Sequence, residues 1–84
     1  MTIPTFLDEL LQTIESDIAR GGGTVHKDTE LLLEGIVDSL GLVRLVAWIE
    51  ERANVEIDPT ELVLENFASP AIIDAFVHRL LSDV

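Results

Sequence analysis

The chain has 84 residues, 16 acids against 5 bases, a formal net charge of −11 and no cysteine. That length gives one domain, spanning 1–84, with a single core. The missing cysteines exclude disulfides and thiolate metal sites, and the charge disfavours both phosphate backbones and anionic lipid surfaces, so neither nucleic acid nor a membrane is an expected partner.

A partner with a basic face would be attracted and steered, although the same charge serves solubility equally well. Apolar residues make up 48% of the chain, with three Phe, one Trp and no Tyr. The core must therefore be mostly Leu, Ile and Val. No apolar run reaches the roughly 18 residues a membrane span needs. The N-terminus lacks a basic region and carries acids by Asp8, so no secretory signal is expected and the cytoplasm is the default location. A chain of this size is not expected to enclose the concave pocket of roughly 300 Å3 or more that an enzyme cleft requires.

The first predicted element runs from Thr5 to Arg20. Phe6, Leu7, Leu10, Leu11, Ile14 and Ile18 recur at helical spacing, with Asp8, Glu9, Glu15 and Asp17 opposite. Pro4 and Thr5 mark its start, and Gly21-Gly22-Gly23 its stop, since glycine accepts the left-handed turn at a helix end. The connection from Gly21 to Val37 is too apolar to be a free linker. Leu31, Leu32, Leu33, Ile36 and Val37 are expected to lie over the core, with Asp28 capping a short turn over Thr29 to Leu33.

Asp38 is placed to cap a second helix from Ser39 to Ala53. At about 100° per residue, Leu42, Leu45, Val46, Ile49 and Ala53 form its core face, while Leu40, Val43 and Ala47 lie on another side with Arg44 and Glu51. Trp48 can join that outer surface or pack under the loop. Asp58-Pro59-Thr60-Glu61 reads as the start of a short helix, with Asp58 as N-cap, Pro59 first and Glu61 reaching back. Asn66 and Ser69-Pro70 interrupt it. A last helix follows, with Ile72, Ile73, Phe76, Val77, Leu80 and Leu81 as its stripe. The expected fold is all-α: a small bundle of three main helices plus one short helix, with a long packed loop between the first two.

Ser39 stands out chemically. The plain reading is that Ser39 or Asp38 only caps the helix. A serine in the first turn, however, also sits where the helix dipole and unpaired N–H groups favour an anion, and its hydroxyl is exposed at a loop-to-helix junction. A phosphodiester on Ser39 would be well placed.

The stretch Glu34-Gly35-Ile36-Val37-Asp38-Ser39-Leu40-Gly41-Leu42-Val43 resembles the modification site of acyl and peptidyl carrier proteins. The likeness continues through Glu50-Glu51 and Val55-Glu56-Ile57-Asp58-Pro59 to Glu65-Asn66-Phe67 and Ser69, and covers about residues 28 to 82. The resemblance implies that a phosphopantetheinyl transferase moves 4'-phosphopantetheine from coenzyme A to Ser39, next to Asp38, and that the arm's thiol holds acyl or aminoacyl cargo as a thioester. It further implies a loading enzyme and downstream synthase, transferase or tailoring enzymes as partners. Two positions depart from fatty-acid carriers. Gly41 stands where those usually have an acidic or larger residue, and Arg44 where many have Glu. Ile36-Val37-Asp38-Ser39-Leu40-Gly41 is closer to stand-alone carriers of nonribosomal-peptide, polyketide or D-alanyl pathways.

Leu40, Val43, Arg44, Ala47 and Glu51 form the expected docking patch, set against the bland reading of ordinary surface. His26 and His78 are far apart, and no spacing of His, Asp and Glu matches a metal motif. Neither histidine is placed to activate Ser39, which argues against a Ser-His-Asp hydrolase. Gly21-Gly22-Gly23 lacks the Lys-Ser/Thr of a phosphate loop. A monomeric carrier without turnover of its own is the leading expectation. The alternative is an unmodified acidic helical adaptor, which would not need Ser39.

Overall fold

The computed structural model describes residues 5–19 and 24–82. Helix α1 spans Phe6–Thr13. Thr5 caps it in both directions: its hydroxyl accepts from the Asp8 N–H and the Asp8 carboxylate accepts from the Thr5 N–H, each at 3.1 Å, so two orphan donors are satisfied reciprocally. The sequence predicts one helix on to Arg20, but the chain widens into a π-helical turn over Ile14–Ile18, closed by the Ala19 N–H on the Ile14 carbonyl at 2.7 Å. Ile14 and Ile18 both stay buried. Two acids assigned to the solvent side reach across the structure instead: Glu15 accepts from the Val25 N–H at 2.6 Å, and Glu9 pairs with Arg52. Pro4, Arg20 and the Gly21-Gly22-Gly23 stop lie outside the described residues.

The loop is packed, as its composition requires. Val25, Leu31 and Val37 are buried, and it is fastened by backbone bonds from Leu31 N–H to the Ala68 carbonyl (2.9 Å), Val37 N–H to the Leu31 carbonyl (3.0 Å) and Ala71 N–H to the Lys27 carbonyl (2.8 Å). Its turn sits over 31–35 rather than Thr29–Leu33. The Glu30 and Leu32 carbonyls close it, not Asp28. Gly35 takes φ +70°, and Leu33 is left 68% exposed instead of joining the core.

Helix α2 covers Ser39–Ala53, with Asp38 as N-cap and Asn54 in the left-handed conformation at its end. Leu45 and Ile49 are fully buried, while Leu42, Val46 and Ala53 are half-buried edges of the face. Trp48 does neither of the two things the sequence allows. It is half-buried and stacks on Phe6 of α1, ring centroids 5.7 Å apart.

The expected short helix is split into a 3-10 turn at Pro59–Glu61 and a one-turn helix α3 at Leu64–Phe67. Glu61 does not reach back to the cap: its carboxylate accepts from Asn66 Nδ2 at 3.3 Å, while the Asp58 carboxylate takes both the N–H (2.9 Å) and the hydroxyl (2.8 Å) of Thr60. Helix α4 runs Pro70–Ser82. Ile73, Phe76 and Val77 are its buried stripe; Ile72 and Leu81, at its edges, are 41% and 46% exposed, contrary to expectation. The described residues contain no strand.

The two Thr60 bonds, backbone first, hold the Asp58 carboxyl below its ordinary value of 3.8. A depressed folded-state pKa contributes stability that is present above the unfolded value and lost as pH falls through the folded one. Asp58→Ala should therefore melt below the parent at neutral pH, and the two melting curves should converge as the pH drops below about 3.8. A gap that stays constant on acidification would mean the carboxylate is not the source.

Candidate functional site

The chain has four serines, and their environments differ sharply. Ser16 bonds the Gln12 carbonyl at 2.6 Å and Ser82 the His78 carbonyl at 3.0 Å. Ser69 is buried and accepts from the Ile72 N–H at 3.3 Å. Ser39 alone is exposed with its hydroxyl free of any hydrogen bond within the described chain.

Ser39 is the first residue of the fifteen-residue helix α2. Asp38, extended at φ −93° and ψ −176°, turns its carboxylate into that first turn and accepts from the Gly41 N–H at 2.7 Å, while its carbonyl takes the Leu42 N–H at 2.8 Å. The cap is thus supplied by Asp38, and Ser39 is spared for other work. No acid lies within the first turn after the cap. A phosphodiester on Ser39 would fall at the positive end of the helix dipole, which it would share with the Asp38 carboxylate on the Gly41 N–H. The site accordingly fits a phosphate-linked group.

Gly41 is buried, and its surroundings account for its identity. A Cβ there would lie 3.2 Å from Asp38 Oδ1, 3.2 Å from Val37 Cγ1 and 3.4 Å from Ile18 Cγ2. The end of the loop, the cap and the π-helical turn of the first helix all converge on this position.

Beyond Ser39, α2 presents Leu40 at 70% and Val43 at 64% exposure, with Arg44, Ala47 and Glu51 also exposed. These residues share the arc of α2 that faces away from Leu45 and Ile49. A second apolar strip, Leu62, Val63 and Leu64, is about half exposed and was not anticipated. Its signal was available: three consecutive apolar residues between Glu61 and Glu65 have no helical periodicity to bury them all. Glu50 accepts from the Ile57 N–H at 2.8 Å and so shapes the turn after α2.

Two open grooves exceed the size expected for so small a chain, at about 320 Å3 (Trp48, Glu51, Arg52) and about 430 Å3 (Glu50, Glu56, Ile57, Asp58, Pro59). Neither is lined by Ser39 or a histidine. His78 Nδ1 lies against the carbonyl of Asp74 at 2.7 Å. His26 is exposed in the loop, and no cluster among the described residues has the donors to hold a metal ion.

The sequence pattern of the phosphopantetheine attachment site family matches residues 8–71, a span that contains Ser39. The chain belongs to that family. It is a carrier protein rather than an enzyme, and its prosthetic group is covalently bound 4'-phosphopantetheine. It is 30% identical over 67 residues to the D-alanyl carrier protein of Bacillus cereus, covering 80% of each chain. It is 41% identical over 75 residues to the lincomycin biosynthesis protein LmbN of Streptomyces lincolnensis, a match over 88% of this chain but only 27% of that longer relative. A chain in a crystal structure of an FAD-dependent dehydrogenase matches with a TM-score of 0.75 and 33% identity, over 82% of this chain and 99% of that one. No helix among the described residues is long and apolar enough to cross a membrane.

In a carrier, the crowding around Gly41 has a measurable consequence. Gly41→Ala should leave the melting temperature nearly unchanged, because the helix-propensity gain of about 1 kcal/mol offsets the tight contacts. The rate of arm attachment should fall several-fold, because the Asp38 carboxylate and Val37 must shift beside Ser39. An unchanged rate would show that the cap tolerates the displacement.

Proposed function

We propose that Ser39 is the attachment residue for the 4'-phosphopantetheine arm. The chain then carries acyl or aminoacyl intermediates as thioesters between enzymes of a biosynthetic pathway. The observation that carries this reading is the free, exposed hydroxyl at the first position of α2, capped by a neighbour rather than by itself. In the attachment step the Ser39 oxygen loses its proton and bonds the phosphorus of the arm. The bond from that phosphorus to the adenosine bisphosphate of coenzyme A breaks. When bound, the arm supplies the thiol that a chain without cysteine lacks.

The chain's own part is positioning. Asp38 fixes the start of α2, the helix end favours the phosphodiester, and Leu40, Val43, Arg44, Ala47 and Glu51 offer a face on which a transferase, a loading enzyme and a downstream synthase, transferase or tailoring enzyme dock in turn. The likeness to a D-alanyl carrier protein and to a lincomycin biosynthesis protein supports a nonribosomal-peptide, polyketide or D-alanyl type of pathway over a fatty-acid one. The likeness to a chain from an FAD-dependent dehydrogenase structure supports a flavoenzyme among the tailoring partners. The charge of −11 supports a monomer, since like-charged copies repel.

The test is the intact mass of the purified protein before and after incubation with coenzyme A and a broad-specificity phosphopantetheinyl transferase. A gain of one phosphopantetheine supports the reading. No gain with several transferases, on folded and unmodified protein, defeats it and leaves the unmodified adaptor in its place.

A further inference from the structure

The exposed arc of α2 places one cation, Arg44, beside apolar side chains in a chain of net charge −11. Arg44 sits on it between Leu40, Val43 and Ala47, and makes no ion pair among the described residues. The other arginines described are engaged, Arg52 with Glu9 and Arg79 over the ring of Phe76. The only acid as exposed on this arc is Glu51, two turns from Arg44, about 10 Å along the axis. Glu50, at its edge, is held by the Ile57 N–H. An apolar strip flanked by one unpaired cation is an incomplete interface: covering Leu40 and Val43 would desolvate Arg44 beside them, at a cost unless a carboxylate meets it.

We propose that Arg44 selects the docking partner. The face fits a partner protein whose contact surface is apolar and carries a carboxylate opposite Arg44. The chain's overall charge attracts basic surfaces at long range, and Arg44 then discriminates among them at contact, where screening by salt is weaker. This rests on the docking role given to α2 above. A second copy of this chain is the rival occupant, since an antiparallel pairing would set Arg44 of each against Glu51 of the other. The mutual repulsion of two chains of −11 opposes it.

The probes are two synthetic amphipathic helical peptides with identical apolar faces, one bearing glutamates beside that face and one lysines at the same positions. Each is titrated into the full-length protein and into Arg44→Glu, following backbone amide shifts. The double-mutant cycle cancels the global charge. The expected result is a coupling of about tenfold between Arg44 and the peptide's acids, with shifts centred on Leu40, Val43 and Ala47. Lys27→Glu, the same charge change in the loop, should give none. A cycle that closes without coupling, no binding of either peptide, or a dimer in sedimentation that Arg44→Glu dissociates would each overturn the proposal. Intact mass after transferase treatment is read on the same samples. A normal mass gain with no coupling sinks this inference alone, whereas a missing mass gain sinks the carrier reading at Ser39.

Discussion

Ser39→Ala is expected to abolish uptake of the arm completely while leaving the melting temperature unchanged to within about 0.5 kcal/mol of stability. Both halves follow from one geometry. The Ser39 hydroxyl bonds nothing within the described chain, so its removal strands no donor or acceptor. The capping bond belongs to Asp38 and Gly41, and alanine is the better helix former. The remaining serines cannot substitute. Ser16 and Ser82 turn their hydroxyls back onto carbonyls of their own helices, and Ser69 is buried. Asp38→Ala is the informative contrast. It should cost about 1 kcal/mol for the lost cap and slow attachment without preventing it. Intact mass and thermal melting separate the cases: residual mass gain in Ser39→Ala would relocate the attachment, and a large loss of stability would mean that Ser39 does structural work not visible in its contacts.

The local geometry around Ser39 could be read from the sequence because its determinants are local. A cap, a free hydroxyl one residue later and the arc of a helix depend on neighbours within a turn, so Asp38, Ser39, Leu40 and Val43 stand where their spacing put them. What escaped the sequence is set by contacts between distant segments. Gly41 looked like a departure, and its reason is a meeting of Ile18, Val37 and Asp38 that no pattern encodes. Glu9 and Glu15 fit the polar side of a first helix, yet each satisfies a partner elsewhere, Arg52 and the Val25 N–H. Leu33 is as apolar as its neighbours in the loop expected over the core, yet in the turn that ends at Gly35 it is 68% exposed. Helix ends erred in the same way: the widened turn at Ile14–Ile18 and the split of the short helix answer to packing and to the Asp58–Thr60 bonds rather than to propensity.

The loop that delivers Ser39 depends on the smallest element, and this gives the second large expected effect. Helix α3 has only four residues, too few to be stable through its own hydrogen bonds. Phe67 holds it: the side chain is 1% exposed and meets Phe76 of α4 edge-on, centroids 5.6 Å apart. The next carbonyl, Ala68, takes the Leu31 N–H, and the Leu31 carbonyl takes the Val37 N–H directly before Asp38. Phe67→Ala should cost about 3–5 kcal/mol, against a total of about 4–13 kcal/mol for a domain of this size. Part of that loss should appear locally. Hydrogen exchange should quicken more at the Leu31 and Val37 amides than at Leu45 and Ile49 in α2, because α3 and the loop can release while α1, α2 and α4 stay packed. Phe67→Leu, which keeps most of the volume, should cost less than about 1.5 kcal/mol and leave the loop amides protected. If Phe67→Ala speeds exchange equally at all four amides, α3 unfolds only with the whole domain, and the route from Phe67 to Ser39 is not a separable unit.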